Sequence, residues 1–148
     1  MAITIDTTSG DTGGNASQLQ WSHTCSGDTT LLIVAIARYD DQPGDRGVDS
    51  VTYGSGDAQT MTEGVMKDSY DRNIAIYYLE NPDTGSAYNI TVDFNGGATA
   101  RYSAGAISFE DADGISATNS TSGTSVDKSI TLNTTTSNNY VVDLFCDN

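Results

Sequence analysis

His23 is the single histidine of the chain, and with Cys25 two residues further on it brings together the residue types of a base and a nucleophile. On a strand those two side chains share a face and can touch. A Ser-His-Asp mechanism would also have to run through His23, with its serine and carboxylate brought from elsewhere in the chain. The surrounding pattern points to another role. Leu19, Trp21, His23 and Cys25 alternate with Gln18, Gln20, Ser22 and Thr24, which puts the histidine on an apolar strand face, where a hydrogen-bonded structural histidine is the commoner case. Nothing near it in the chain offers an oxyanion hole. No catalytic residue is assigned, and the expectation is a protein that is not an enzyme.

Carboxylates are the other candidates for chemistry. Asp40, Asp41, Asp45 and Asp49 crowd one loop, and Glu110, Asp111 and Asp113 precede Gly114. Hard oxygens at that density could hold Ca²⁺, which takes about six to eight of them. The spacing does not match an EF-hand loop, and a solvated acidic turn is the commoner meaning of both clusters. No metal and no cofactor is assigned. A carboxylate pair for glycoside hydrolysis is decided by separation in space, which spacing in sequence does not give. Tyr39, Tyr53, Tyr70, Tyr77 and Tyr88 are candidates for stacking on sugar rings, although most tyrosines of sandwich folds are core or half-buried. Asn15, Asn89, Asn119 and Asn133 begin glycosylation triplets, which chance explains in a chain so rich in Asn, Ser and Thr.

The net charge of −14 excludes one class of partner. Phosphate binding needs clustered basic side chains that release counterions, whereas Arg38, Arg46, Arg72, Arg101, Lys67 and Lys128 are dispersed among acids. Nucleic acid is therefore not an expected partner. Nothing approaches the roughly 18 consecutive apolar residues of a membrane helix. The N-terminus has no basic, apolar leader, so the expectation is a soluble protein made and assembled in a cytosol. In that setting Cys25 and Cys146 are expected as two buried thiols, although a disulfide would be allowed if the first and last strands were neighbours.

The elements that position these residues read as strands throughout. At 148 residues the chain is one domain, 1–148, able to bury roughly 70% of the surface its unfolded form exposes. Ile3 and Ile5 begin a first strand, closed by a polar loop from Thr7 to Gly14. A second strand runs from Gln18 to Ser26, and Gly27-Asp28 turns the chain. The longest apolar run, Leu31 to Tyr39, predicts a central strand buried on both faces. Val48 to Tyr53 is followed by a hairpin connection at Gly54 to Asp57, and Met61, Val65 and Met66 suggest a less regular strand. Between Asn73 and Phe94 two alternating runs flank Asn81-Pro82-Asp83-Thr84-Gly85-Ser86, with Pro82 and Gly85 making the turn. From Ala98 to Glu110 small residues dominate one half, which implies close approach of a neighbouring backbone. Ser116 to Ser125 reads as a loop, Ile130 and Leu132 mark a strand, and Tyr140 to Cys146 mark the last. About nine to eleven short strands at these spacings predict an all-β antiparallel β-sandwich with a jelly-roll arrangement. The final strand is expected at a sheet edge or paired with another subunit.

Several of these segments stand in a familiar order: Trp21-Ser-His-Thr, Leu31-Leu-Ile-Val-Ala-Ile, Ser50-Val-Thr-Tyr-Gly, Ile76-Tyr-Tyr-Leu-Glu-Asn-Pro-Asp-Thr-Gly-Ser and Ala104-Gly-Ala-Ile-Ser-Phe. From Gln18 to Phe145 the chain resembles a β-sandwich module of bacteriophage virion proteins, found in head-decorating and tail-associated proteins and in some bacterial surface proteins. The resemblance carries no active site. It implies a virion structural protein, expected as a capsid decoration or cement protein that binds the major capsid protein or other virion proteins as a homo-oligomer, a trimer being favoured. The alternative it leaves is a carbohydrate- or receptor-binding module of a phage tail, fibre or bacterial surface protein.

Overall fold

The structure, a computed structural model, describes residues 2–14, 16–39, 47–69, 72–95, 101–121, 129–134 and 139–144. Among them are nine strands and no helix: β1 (Thr4–Gly14), β2 (Gln18–Thr24), β3 (Thr29–Tyr39), β4 (Val48–Gly54), β5 (Gln59–Thr60), β6 (Thr62–Ser69), β7 (Arg72–Glu80), β8 (Ala87–Phe94) and β9 (Arg101–Glu110). They make a five-stranded sheet in the order β1-β9-β3-β7-β6 and a four-stranded sheet in the order β2-β8-β4-β5. Every pairing is antiparallel and the pairs are nested, β1 with β9, β2 with β8, β3 with β7 and β4 with β5. That nesting of first with last, folded over into two sheets, is the jelly-roll winding. β6 is an addition, a hairpin partner on the outer side of β7.

Period-two alternation explains the packing. Leu32, Val34 and Ile36 of β3 meet Leu19 and Trp21 of β2, Val51 and Tyr53 of β4, and Ile90, Val92 and Phe94 of β8 in one buried cluster between the sheets. Each such side chain stabilises the fold by about 1.5–3 kcal/mol relative to exposure. The other face of β3 is also covered: Leu31, Ile33 and, beside them, Phe109 of β9 form a second cluster on the outside of the five-stranded sheet, under Ile115 and Val142. β3 is thus buried on both faces, as its continuous apolar run requires.

Three sequence readings are corrected. Thr7 to Gly14 is not a loop but the second half of β1, in register with Arg101–Ile107 after a bulge between Ile5 and Thr8. Its glycines suit it to lie close against β9: a Cβ on Gly10 would stand 2.8 Å from the Ala104 carbonyl oxygen. The strands read at Ile130–Leu132 and from Tyr140 are absent from the described residues 129–134 and 139–144, which join no ladder. They lie across the outer face of the five-stranded sheet, neither at its edge nor in it, and cover the apolar side chains of that face. Tyr53 and Tyr77, read as possible sugar-stacking residues, are core side chains. Burial and the neighbouring Glu63 carboxylate push the Tyr77 phenol up to about 12.

The strands around Pro82 and Gly85 do not pair with each other. β7 belongs to one sheet and β8 to the other, so this turn, with left-handed backbone at Asn81 and Gly85, carries the chain across the sandwich. Gly85 N–H donates to the Cys25 carbonyl and Asn81 N–H to the Thr30 carbonyl, which tie it to the β2–β3 connection.

Candidate functional site

His23 and Cys25 lie together inside the sandwich, where β1 passes over to β2. The indole Nε1–H of Trp21 donates to Ser9 Oγ at 3.0 Å, and Ser9 Oγ lies 2.8 Å from His23 Nδ1. Ser9 Oγ thus accepts from the indole and shares a second hydrogen bond with His23 Nδ1, whose direction is set by the His23 tautomer. Nε2 is buried and has no partner. A triad needs a carboxylate at that second nitrogen, but the nearby Asp6 is used differently. Its Oδ2 accepts from Ser26 N–H at 3.0 Å and from the Thr29 and Ser108 hydroxyls at 2.8 Å each. Cys25 is fully buried, and burial, with the Asp6 charge adding to it, raises its thiol above the ordinary range, the opposite of an activated nucleophile. This cluster is a polar knot that pins β1 to both sheets.

The knot has a pH signature. Burial holds the His23 imidazole below its usual pKa, with the Asp6 carboxylate pulling partly the other way. Burial raises Asp6, but its hydrogen bonds outweigh that and leave it below the ordinary carboxylate value. Both folded pKa values are depressed, so both groups contribute stability above their unfolded pKa and lose it as pH falls through the folded one. Stability is expected to fall in two steps on acidification, the first beginning below the ordinary histidine pKa of 6.5 and the second below the ordinary aspartate pKa of 3.8. Calorimetry of the chain and of a His23→Gln variant checks the first step; an equal slope in both would remove His23 as its origin.

The acidic clusters are placed separately. Glu110 accepts from Thr4 Oγ1 at 3.1 Å and from Ser26 Oγ at 3.1 Å, so it belongs to the knot. Asp49, Asp111 and Asp113 are exposed, and among the described residues no three acidic, histidine or cysteine side chains converge as a metal set. Asp40, Asp41, Asp45, Tyr70 and Cys146 lie outside the described residues. Tyr39 is exposed, with the Arg72 guanidinium 5.5 Å from its ring centre. Tyr88 is half-buried against Tyr53, ring centres 5.6 Å apart.

What sequence reasoning missed is the outer face of the five-stranded sheet. Leu31, Ile33, Val65, Ile76 and Phe109 floor a groove roofed by the segment that follows β9, and an apolar cavity of about 160 Å³ remains between them. A second cavity of about 120 Å³ continues over Val65, Lys67 and Ile74. The root of the segment is built. Ala112 N–H donates to Thr30 Oγ1 at 2.8 Å while that hydroxyl donates to the Ala112 carbonyl at 2.9 Å. Asp111 and Gly114 have left-handed backbone, and a side chain at Gly114 would run into the Glu80 carboxylate. Further along the cover is looser: the Tyr140 ring tilts against Phe109 at 5.4 Å, yet Tyr140 is 53% and Val141 60% exposed. The available signal was the double-sided apolar pattern of β3, which required something to cover its second face.

Comparison with protein-family models, curated proteins and solved structures finds no match to this chain. Its site is therefore defined by its own geometry: a buried polar knot around His23 and Asp6, and an apolar groove incompletely filled. Among the described residues no helix is long and apolar enough to cross a membrane.

Proposed function

We propose that this chain is a non-enzymatic structural protein of a bacteriophage virion, a capsid decoration or cement protein that binds the major capsid shell in many copies. The reading rests on the resemblance of its segment order to virion sandwich modules. One observation carries it further: Asp6 and His23 Nδ1 are engaged by internal hydrogen bonds and Cys25 is fully buried, so the side chains best able to do chemistry are turned inward. Apolar and polar contacts spread over many copies hold a shell against internal pressure without any reaction. A closed homo-oligomer, a trimer being favoured, multiplies each weak attachment. The place of action is the virion, assembled in the host cytoplasm.

Quantitative mass spectrometry of purified particles tests this. The expected result is a copy number comparable with that of the major capsid subunit, together with earlier bursting on heating of particles that lack the chain. A handful of copies confined to the tail would overturn it and favour the receptor-binding alternative.

A further inference from the structure

We infer that the segment-covered outer face of the five-stranded sheet is a self-association surface, where copies of this chain meet and bury Ile130, Tyr140 and Val141 against one another. Three observations converge on it. The first is exposure: of the large apolar side chains exposed among the described residues, Ile130, Tyr140 and Val141 belong to this segment, with exposures of 39%, 53% and 60%. They are displayed on a cover that leaves about 160 Å³ of apolar space beneath itself. A cover that fits its own sheet poorly and points apolar side chains outward is half of an interface.

The second is charge. A chain of net charge −14 repels its own copies, so two copies can touch only where each is nearly uncharged. The residues lining the two cavities include only Asp143 and Lys67 as charged groups, of opposite sign. That is where a second copy, as acidic as the first, meets least repulsion. The outside of the four-stranded sheet is also poor in charge, but there the polar side chains already satisfy each other. Gln18 Nε2 and Ser50 Oγ donate to Asp93, and Gln20 Nε2 to Thr91 Oγ1. Covering that face would desolvate paired polar groups and gain little apolar burial.

The third is backbone. Residues 129–134 and 139–144 alternate as strands do and yet join no ladder, and among the described residues no strand pairs with the outer edge of β6, beside the groove. Such a segment gains hydrogen bonds when a second copy packs over it.

The inference names the contact surface of the homo-oligomer proposed above and rests on that part of the reading; its test uses the chain alone, so a monomeric chain removes the oligomer, whereas copy number in particles decides the decoration role separately. Sedimentation equilibrium from micromolar to near-millimolar concentration is expected to show reversible association that strengthens with added salt, as screening removes the repulsion. Val141→Lys and, independently, Ile130→Lys are expected to weaken it about tenfold or more, with the melting temperature of the monomer kept for Val141→Lys, which is 60% exposed, and slightly lowered for Ile130→Lys, which also lines both cavities. Thr52→Lys, on the outside of the other sheet, serves as the control and is expected to leave it unchanged. A chain that stays monomeric throughout would overturn the inference. So would association that Thr52→Lys disrupts, or that is indifferent to both segment variants.

Discussion

Phe94→Ala is expected to destabilise the fold by about 4 kcal/mol. The Phe94 ring stacks on Tyr102 with centres 3.9 Å apart and planes 12° from parallel. It comes from β8 and Tyr102 from β9, so the pair joins the two sheets. Beside it lies the buried guanidinium of Arg38, 5.7 Å from the Phe94 centre and 5.9 Å from that of Tyr102, with Nη1 donating to the Asn95 carbonyl at 3.2 Å. Removing the ring opens a cavity and strips a buried cation of one aromatic face. The Tyr102 hydroxyl, which donates to the Ala16 carbonyl, keeps its partner only if the ring beneath it stays in place. Urea unfolding of Phe94→Ala and Phe94→Leu checks this: Leu keeps most of the volume and is expected to lose less than half as much. A loss below about 1 kcal/mol for Ala would mean that neighbours close over the site, against the packing described.

Asp6→Ala is expected to cost about 2 kcal/mol, from the opposite kind of interaction. Ser108 is fully buried and Thr29 nearly so, and both donate to Asp6. Without the carboxylate the Thr29 hydroxyl and the Ser26 N–H lose an acceptor, whereas Ser108 keeps a longer bond of 3.3 Å to the Thr7 carbonyl. Asp6 itself is half-buried, so water replaces part of what is removed and the loss stays below that of a buried ion. Asp6→Asn is expected to recover about half of the loss, since one oxygen can still accept. Only the aspartate chain should show the acid step below the ordinary carboxylate pKa. Chemical denaturation at neutral and acid pH separates these effects; equal acid sensitivity in wild type and Asp6→Asn would rule out Asp6 as its source.

Much of the strand content was legible because burial on one face imposes alternation that a reader can count. Gln18–Thr24 and Ala87–Phe94 alternate cleanly, and the ends of β2, β3, β4, β7 and β8 fall within a few residues of where the pattern places them. Two segments were misread for a shared reason. Thr7–Gly14 has no apolar alternation and still forms a strand, because its partner β9 is built of small residues and the backbones approach closely. Residues 129–134 and 139–144 alternate and form none, because their apolar side chains are drawn over the apolar outer face of the five-stranded sheet. Strand formation is a property of pairs, and one strand's sequence reports only half of it.

The site was less legible than the fold. His23 and Cys25 could be placed on one apolar face, but Asp6, Ser9, Thr29, Ser108 and Glu110, which complete the knot, lie up to 106 residues from their partners in sequence, as in the Thr4–Glu110 bond. The groove was signalled only indirectly, by the unbroken apolar run of β3.

By itself the sequence determined an all-β sandwich, the position of most strands, the acidity of the chain, and the apolar setting of its one histidine. All follow from local periodicity and composition, which each residue carries wherever it ends up. Only the tertiary structure decided that the turns at Gly27 and Gly85 cross between sheets, that β1 closes on β9, and that His23 is bonded to Ser9 and Asp6 to Thr29 and Ser108. It also decided that the last apolar segments roof a sheet face. Those outcomes depend on which distant strands compete for the same edge and the same buried area, and that competition is settled by nested pairing over the whole chain.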